Sequence, residues 1–176
     1  MTNVAVFGAG RIGRIHASNI AALTGVKLKY VCDPVPLAAS EVAQQFGAEV
    51  ASIEAALADK TVDVVAICSS TDTHSDLITR AAAAGKHIFC EKPVDLSVPR
   101  AEACAQAVKA AGVACMIGFQ RRFDPTFNDA SRRLNAGEIG NPAFRVVEQT
   151  DRHEVRMFAH VEPVRGVGRH GNQIAL

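Results

Sequence analysis

From residue 3 to about 118, short apolar runs rich in β-branched residues alternate with longer Ala-rich stretches whose apolar positions recur every three or four residues. A parallel sheet with crossover helices reads this way in sequence. Strands are expected at Val4–Phe7, Leu28–Cys32, a weak Glu49–Ala51, Val62–Cys68, His87–Cys90 and Val113–Ile117. The first, fourth and sixth are nearly continuous in apolar residues, the pattern of strands covered on both faces. Helices are expected at 11–23, 36–46, 53–58, 73–84, 97–111 and 125–136, the first with Ile12, Ile15, Asn19/Ile20 and Leu23 on its apolar face. Gly25, Gly47, Gly85, Gly112 and Gly137 fall just past the helix ends, where a left-handed residue is cheapest as glycine. The expected fold is an α/β, doubly wound parallel sheet spanning 1–142. No repeat, low-complexity tract or Ser/Gly linker interrupts it before Gly137–Pro142.

Gly8-Ala-Gly10-Arg11-Ile12-Gly13 follows the first strand directly and opens the first helix. In that context the glycines carry a mechanism: Gly8 allows a tight turn, Gly10 lets a pyrophosphate approach the backbone, and Gly13 lets the helix pack closely on the strand. The phosphates would sit at the helix N-terminus. Asp33 closes the second strand, where a carboxylate accepts from ribose hydroxyls and repels a 2′-phosphate, and the following Pro34-Val35 offers no cation. These residues make a Rossmann-type site for NAD rather than NADP. The competing reading is a Gly-rich turn that binds no dinucleotide, or that binds adenosylmethionine or flavin. Asp33 in front of Pro34 also suits plain turn chemistry.

Ligands of an open parallel sheet bind beyond the carboxyl ends of its strands. The segments there are polar: Ser69-Ser70-Thr-Asp-Thr-His74, Glu91-Lys92-Pro93 and Gly118-Phe-Gln120-Arg121-Arg122-Phe-Asp124-Pro125. Lys92 is the catalytic candidate, an ammonium able to hydrogen-bond a reacting hydroxyl, stabilise alkoxide character or relay a proton. The alternative is a Glu91/Lys92 pair on a solvated loop. His74 either contributes a proton or hydrogen bond near the cofactor or is a structural histidine at a helix start. Arg121 and Arg122 either clamp an anionic substrate or pair with Asp124 and Glu138.

Charge and composition narrow the partners. A net charge of +1 leaves no basic field for nucleic acid or an anionic membrane. With no Trp and one Tyr there is little to build a base-stacking platform. No run approaches the roughly 18 apolar residues of a membrane span and no secretory signal opens the chain, so it is read as cytoplasmic. The five cysteines are widely spaced with no Cys-x-x-Cys, which speaks against a metal site or disulfide framework and for buried small hydrophobes.

Together these segments resemble the Gfo/Idh/MocA oxidoreductase family over residues 2 to about 142, most specifically in Ala83-Ala-Gly-Lys-His-Ile-Phe-Cys-Glu-Lys-Pro93 and Met116-Ile-Gly-Phe-Gln-Arg-Arg-Phe-Asp-Pro125. The second of these is similar to inositol 2-dehydrogenases. The resemblance implies NAD held by Gly8, Gly10, Arg11, Ile12, Gly13 and Asp33, with Ser69, Ser70, His74 and Gln120 among the cofactor-binding residues. Glu91 and Lys92 would flank the nicotinamide, with Lys92 catalytic. It implies hydride transfer from a secondary alcohol of a cyclitol or sugar. In the family a second domain carries an Asp and a His four residues apart that complete a triad with the lysine, the His acting as base. No Asp-x-x-x-His occurs in this chain: four residues after Asp151 stands Val155.

Two readings compete for the tail. In one, Ala143–Thr150 and Glu154–Val161 pair as strands; in the other, adopted as the working expectation, 143–176 is a truncated or aberrant extension in place of the second domain. The chain is then an NAD-dependent dehydrogenase, catalytically incomplete as given. The rivals are a non-catalytic NAD-binding module or redox-sensing partner, and an adenosylmethionine-dependent methyltransferase, which gives Lys92 no role. A homo-oligomer is an open expectation.

Overall fold

The structure, a computed structural model, describes residues 1–138 together with the backbone of Arg145–Val146 and Met157–Phe158. Its first compact unit, Met1–Gln120, alternates strand and helix: β1 (Thr2–Phe7), α1 (Arg11–Ala21), β2 (Val26–Cys32), α2 (Pro36–Phe46), β3 (Glu49–Val50), α3 (Ile53–Ala58), β4 (Val64–Ile67), α4 (Thr71–Ala83), β5 (His87–Cys90), α5 (Val98–Ala111) and β6 (Cys115–Ile117). All six strands are parallel, in the order β3-β2-β1-β4-β5-β6. The chain therefore winds outward in both directions from β1 and β4, and the crevice at their carboxyl ends is where such a sheet binds ligands.

Period-2 geometry sends alternate residues of one strand to opposite faces, and both faces here are covered. Val4 and Val6 join Leu28, Val31 and Ala66 under Ala17 of α1 and Ala39, Val42 and Ala43 of α2. Ala5 and Phe7 join Val65 and Ile67 under Leu77, Ile78, Ala81 and Ala82 of α4 and Cys104 of α5. Each large apolar side chain removed from water in these layers contributes about 1.5–3 kcal/mol. Lys86, also buried, donates from Nζ to the carbonyls of Asp59 and Val62, tying together the chain entering β4 and β5.

Several details differ from the sequence expectation. Among the described residues the sixth strand, β6, is an edge strand covered on one face: Cys115 and Ile117 pack against the core, while Met116 is 48% exposed. Helix α1 ends at Ala21, two residues earlier than expected; within it the buried residues are Gly13 and Ala17, while Ile15 is 49% exposed and Leu23, past its end, 57%. The closest approach, at Gly13, excludes even a Cβ, while Ile12 and Ile20, half-buried, pack against the same core. Helix α4 begins at Thr71, two residues earlier than expected, with Ser70 as its N-cap. Four of the five cysteines are buried, and all five are free thiols. Burial pushes Cys32, Cys68 and Cys90 up to about 12.

A 3₁₀ turn, Gln120–Phe123, follows β6. In the second unit, Arg121–Leu176, α6 (Pro125–Asn135) is capped by Asp124, whose carboxylate accepts from the backbone N–H groups of Thr126 and Phe127. Strands β7 (Arg145–Val146) and β8 (Met157–Phe158) pair antiparallel, at positions inside the two strands considered for the tail. The rest of those strands, the expected boundary at 142, and His153, His160 and His170 lie outside the described residues.

Candidate cofactor-binding site

The turn after β1 is built around glycines whose roles differ. Gly8 has φ +100, and a Cβ there would lie 2.7 Å from both the Cys68 carbonyl oxygen and the Ser69 nitrogen. Its own N–H donates to the Cys32 carbonyl, while the Cys68 N–H donates to the Phe7 carbonyl, locking β1 between β2 and β4. A Cβ on Gly13 would lie 1.8 Å from the Gly8 carbonyl oxygen. Gly10 is the opposite case: nothing lies within 4 Å of the position its Cβ would take. It is the N-cap of α1, no side chain caps that helix, and no acidic residue stands in its first turn. An uncapped helix start with open space over a glycine fits an anionic group such as a pyrophosphate. Arg11 is exposed and Ile12 half-buried beside it.

A cavity of about 590 Å³ opens over this turn, lined in part by Gly8, Gly10, Asp33, Ser69 and Ser70. Asp33 is also a hydrogen-bonding post of the loop: Oδ2 accepts from the Ala9 N–H at 2.6 Å and Oδ1 from the Val35 N–H at 2.8 Å. The turn chemistry and the cavity role thus coexist in one carboxylate, since each oxygen keeps a further lone pair for a ligand hydroxyl. Ser69 and Thr73 hydroxyls lie 2.6 Å apart, and Thr73 also donates to the Ser70 carbonyl.

His74 is 1% exposed and does not line the cavity. Its Nδ1 is 2.7 Å from the Pro93 carbonyl oxygen and its Nε2 3.1 Å from that of Ser69. The ring therefore fastens the loop after β4 to the loop after β5, which is the structural reading of this residue.

Glu91, at the end of β5, does not pair with Lys92. Its Oε1 lies 2.8 Å from Nε2 of His16 on α1, whose ring packs against Phe89 with centroids 4.8 Å apart. A Cβ on Gly118 would come within 3.2 Å of the same carboxylate and 3.0 Å of the Phe89 ring. Glu91 is thus fixed by His16, with no room for a side chain at position 118 beside it. Its charge adds to the burial that pushes up Cys68. His16 was not singled out from sequence, although it lies three residues past Gly13, on the helix face that meets the sheet. Lys92 is exposed, with no hydrogen bond or ion pair among the described residues. Gln120 is exposed at the start of the 3₁₀ turn. In the second unit the Arg121 guanidinium lies 4.7 Å over the Phe127 ring, and Glu138 pairs with Arg133.

Residues 2–119 match the family model of the Gfo/Idh/MocA oxidoreductases, described as an NAD-binding Rossmann fold. The chain is 42% identical over 146 residues to inositol 2-dehydrogenase of Rhizobium meliloti, covering 83% of this chain and 44% of that protein. It is 46% identical over 143 residues to scyllo-inositol 2-dehydrogenase (NAD(+)) of Bacillus subtilis, covering 80% and 42%. A solved structure of scyllo-inositol dehydrogenase from Lactobacillus casei, with bound NAD(H) and scyllo-inositol, superposes with a TM-score of 0.76 at 30% identity, covering 81% of this chain and 43% of that one. The chain spans less than half the length of these relatives. With the glycine turn, the parallel sheet and the family model all coinciding over residues 2–119, the chain belongs to the Gfo/Idh/MocA oxidoreductase family and carries its NAD-binding Rossmann domain.

Proposed function

We propose that this chain is the cofactor-binding part of an NAD-dependent dehydrogenase that oxidises a secondary alcohol of a cyclitol or sugar. The observation that carries the reading is Lys92: an exposed ammonium without a protein partner among the described residues, one position past a Glu91 that His16 anchors to the phosphate-turn helix. The inositol dehydrogenase names of its relatives support the substrate class. The α1 N-terminus and the Gly8–Gly13 backbone would hold the pyrophosphate, Asp33 the adenosine ribose, and Ser69 and Ser70 the nicotinamide side. The dinucleotide supplies the hydride acceptor when bound. Lys92 would donate a hydrogen bond to the alcohol oxygen and hold negative charge there as the hydroxyl proton leaves.

A second reading has its own observation. No Asp-x-x-x-His is present to receive that proton, so the chain alone would bind NAD without turnover. The 143–176 segment then stands as an extension beyond a dinucleotide-binding domain. Five free thiols suit a reducing compartment, and among the described residues no helix is long and apolar enough to cross a membrane.

Titration of the purified chain with NAD and NADH, then addition of excess myo-inositol while the absorbance of reduced cofactor is followed, separates these readings. Sustained reduction abolished by Lys92→Ala supports catalysis by the chain. Binding without reduction supports the incomplete enzyme, and failure to bind either dinucleotide refutes both.

A further inference from the structure

The cavity over the glycine turn is lined by three carboxylates, Asp33, Glu54 and Asp76, and, among the described residues, by one cation, Arg80. Arg80 sits on α4, and its Nη2 donates to Oε1 of Glu54 at 2.8 Å, bridging to the first turn of α3. Its Nη1 donates to Oδ2 of Asp76, one helical turn earlier, at 3.4 Å. Glu54 is held in place locally: Ser52 caps α3 by accepting from the Ala55 N–H, and a carboxylate in the first turn faces the positive end of the helix dipole. Backbone hydrogen bonding and Arg80 hold its carboxyl below the usual range. The Ala51 N–H, just ahead of α3, donates to the Val31 carbonyl, two residues before Asp33. The first turn of α3 and its ion pair therefore lie beside the strand end that carries Asp33 and line the same cavity.

In dinucleotide-binding folds that end decides the cofactor: a carboxylate takes the ribose hydroxyls, whereas a nearby Arg takes a 2′-phosphate. This cavity contains both groups, so the outcome turns on whether the guanidinium is available. Phosphate is best held by two parallel N–H donors, and one N–H on each terminal nitrogen of Arg80 is already given to a carboxylate, whose negative charge also repels a phosphate.

We propose that Glu54 and Asp76 withhold Arg80 from a cofactor 2′-phosphate and so act, with Asp33, as determinants of the choice for the unphosphorylated dinucleotide. The proposal rests on the reading of this cavity as the dinucleotide site. Glu54 and Asp76 side chains are 72% and 63% exposed, so water screens the pairs and the effect is moderate.

The test is calorimetric titration of the chain with NAD⁺ and with NADP⁺ at low ionic strength, where surface charges act most strongly. The expected result for Glu54→Ala/Asp76→Ala is a shift of the Kd ratio toward NADP⁺ by about fivefold. Adding Arg80→Gln should restore the original ratio. Glu54→Ala alone, at a largely exposed position, should shift the ratio in the same direction if the double variant folds poorly. An unchanged ratio in folded variants that still bind NAD⁺ overturns the proposal, as does a gain that survives Arg80→Gln. Failure of the unsubstituted chain to bind either dinucleotide overturns the reading of the cavity, and the proposal with it.

Discussion

Glycines 10 and 13 belong to one motif yet do opposite physical work. Gly13 is required by the fold, since a methyl group would overlap the Gly8 carbonyl, whereas the space over Gly10 is open. Gly13→Ala should therefore destabilise the protein by about 1–3 kcal/mol or more, as overpacking against backbone does. Gly10→Ala should cost at most about 1 kcal/mol, an N-cap effect, while weakening NAD binding because its methyl group occupies the approach of the pyrophosphate. Denaturant unfolding and NAD titration of the two variants check this; equal stability losses would contradict it. The glycines and Asp33 were legible in sequence because their constraint is local to one turn and its neighbouring strand end. The Glu91 partner was not legible, because His16 meets it across 75 positions of chain.

At the scale of elements, the helices were legible as helices and less so by their faces. Helix α1 turns Gly13 and Ala17 inward and leaves Ile15 half in solvent. Of the stripe counted from large side chains, Ile12 and Ile20 pack against the core while Ile15 and Leu23 lie largely in solvent. Ala17→Leu should accordingly cost about 1–3 kcal/mol through overpacking against the sheet. Ile15→Ala should change stability by no more than about 0.5 kcal/mol, as surface substitutions do. Urea unfolding of both gives the comparison, and a larger loss at Ile15 would mean that this surface is covered in solution. Strand β6 teaches the same lesson: its apolar run is real, but as an edge strand it is only partly covered within the unit described.

For the molecule as a whole, the layered core imposes a pH dependence. The thiols of Cys32, Cys68 and Cys90 are raised from an ordinary value near 9 to about 12, chiefly by burial. The unfolded chain therefore releases these protons first, and the native state binds more of them at alkaline pH. Their contribution to stability is fully present below about pH 9 and is lost progressively as pH rises toward about 12. Thermal melts across this window should show the fall, and Cys32→Ala/Cys68→Ala should flatten it. Iodoacetamide at mildly alkaline pH should leave all three unlabelled in the folded protein and modify them in urea. Labelling in the folded state would contradict their burial.

The sequence by itself determined the alternation of strand and helix, the parallel sheet with two covered faces, and the glycine turn with its acidic partner at β2. These follow from periodicity and from steric demands that act within a few residues or one βαβ unit. The tertiary structure alone decided that Glu91 answers to His16 rather than Lys92, that His74 braces two loops, and that Arg80 is engaged by two carboxylates. In a doubly wound sheet the strand order differs from the chain order, so residues far apart along the chain meet at adjacent strand ends. Pairings there depend on distances in space, which no one-dimensional pattern encodes.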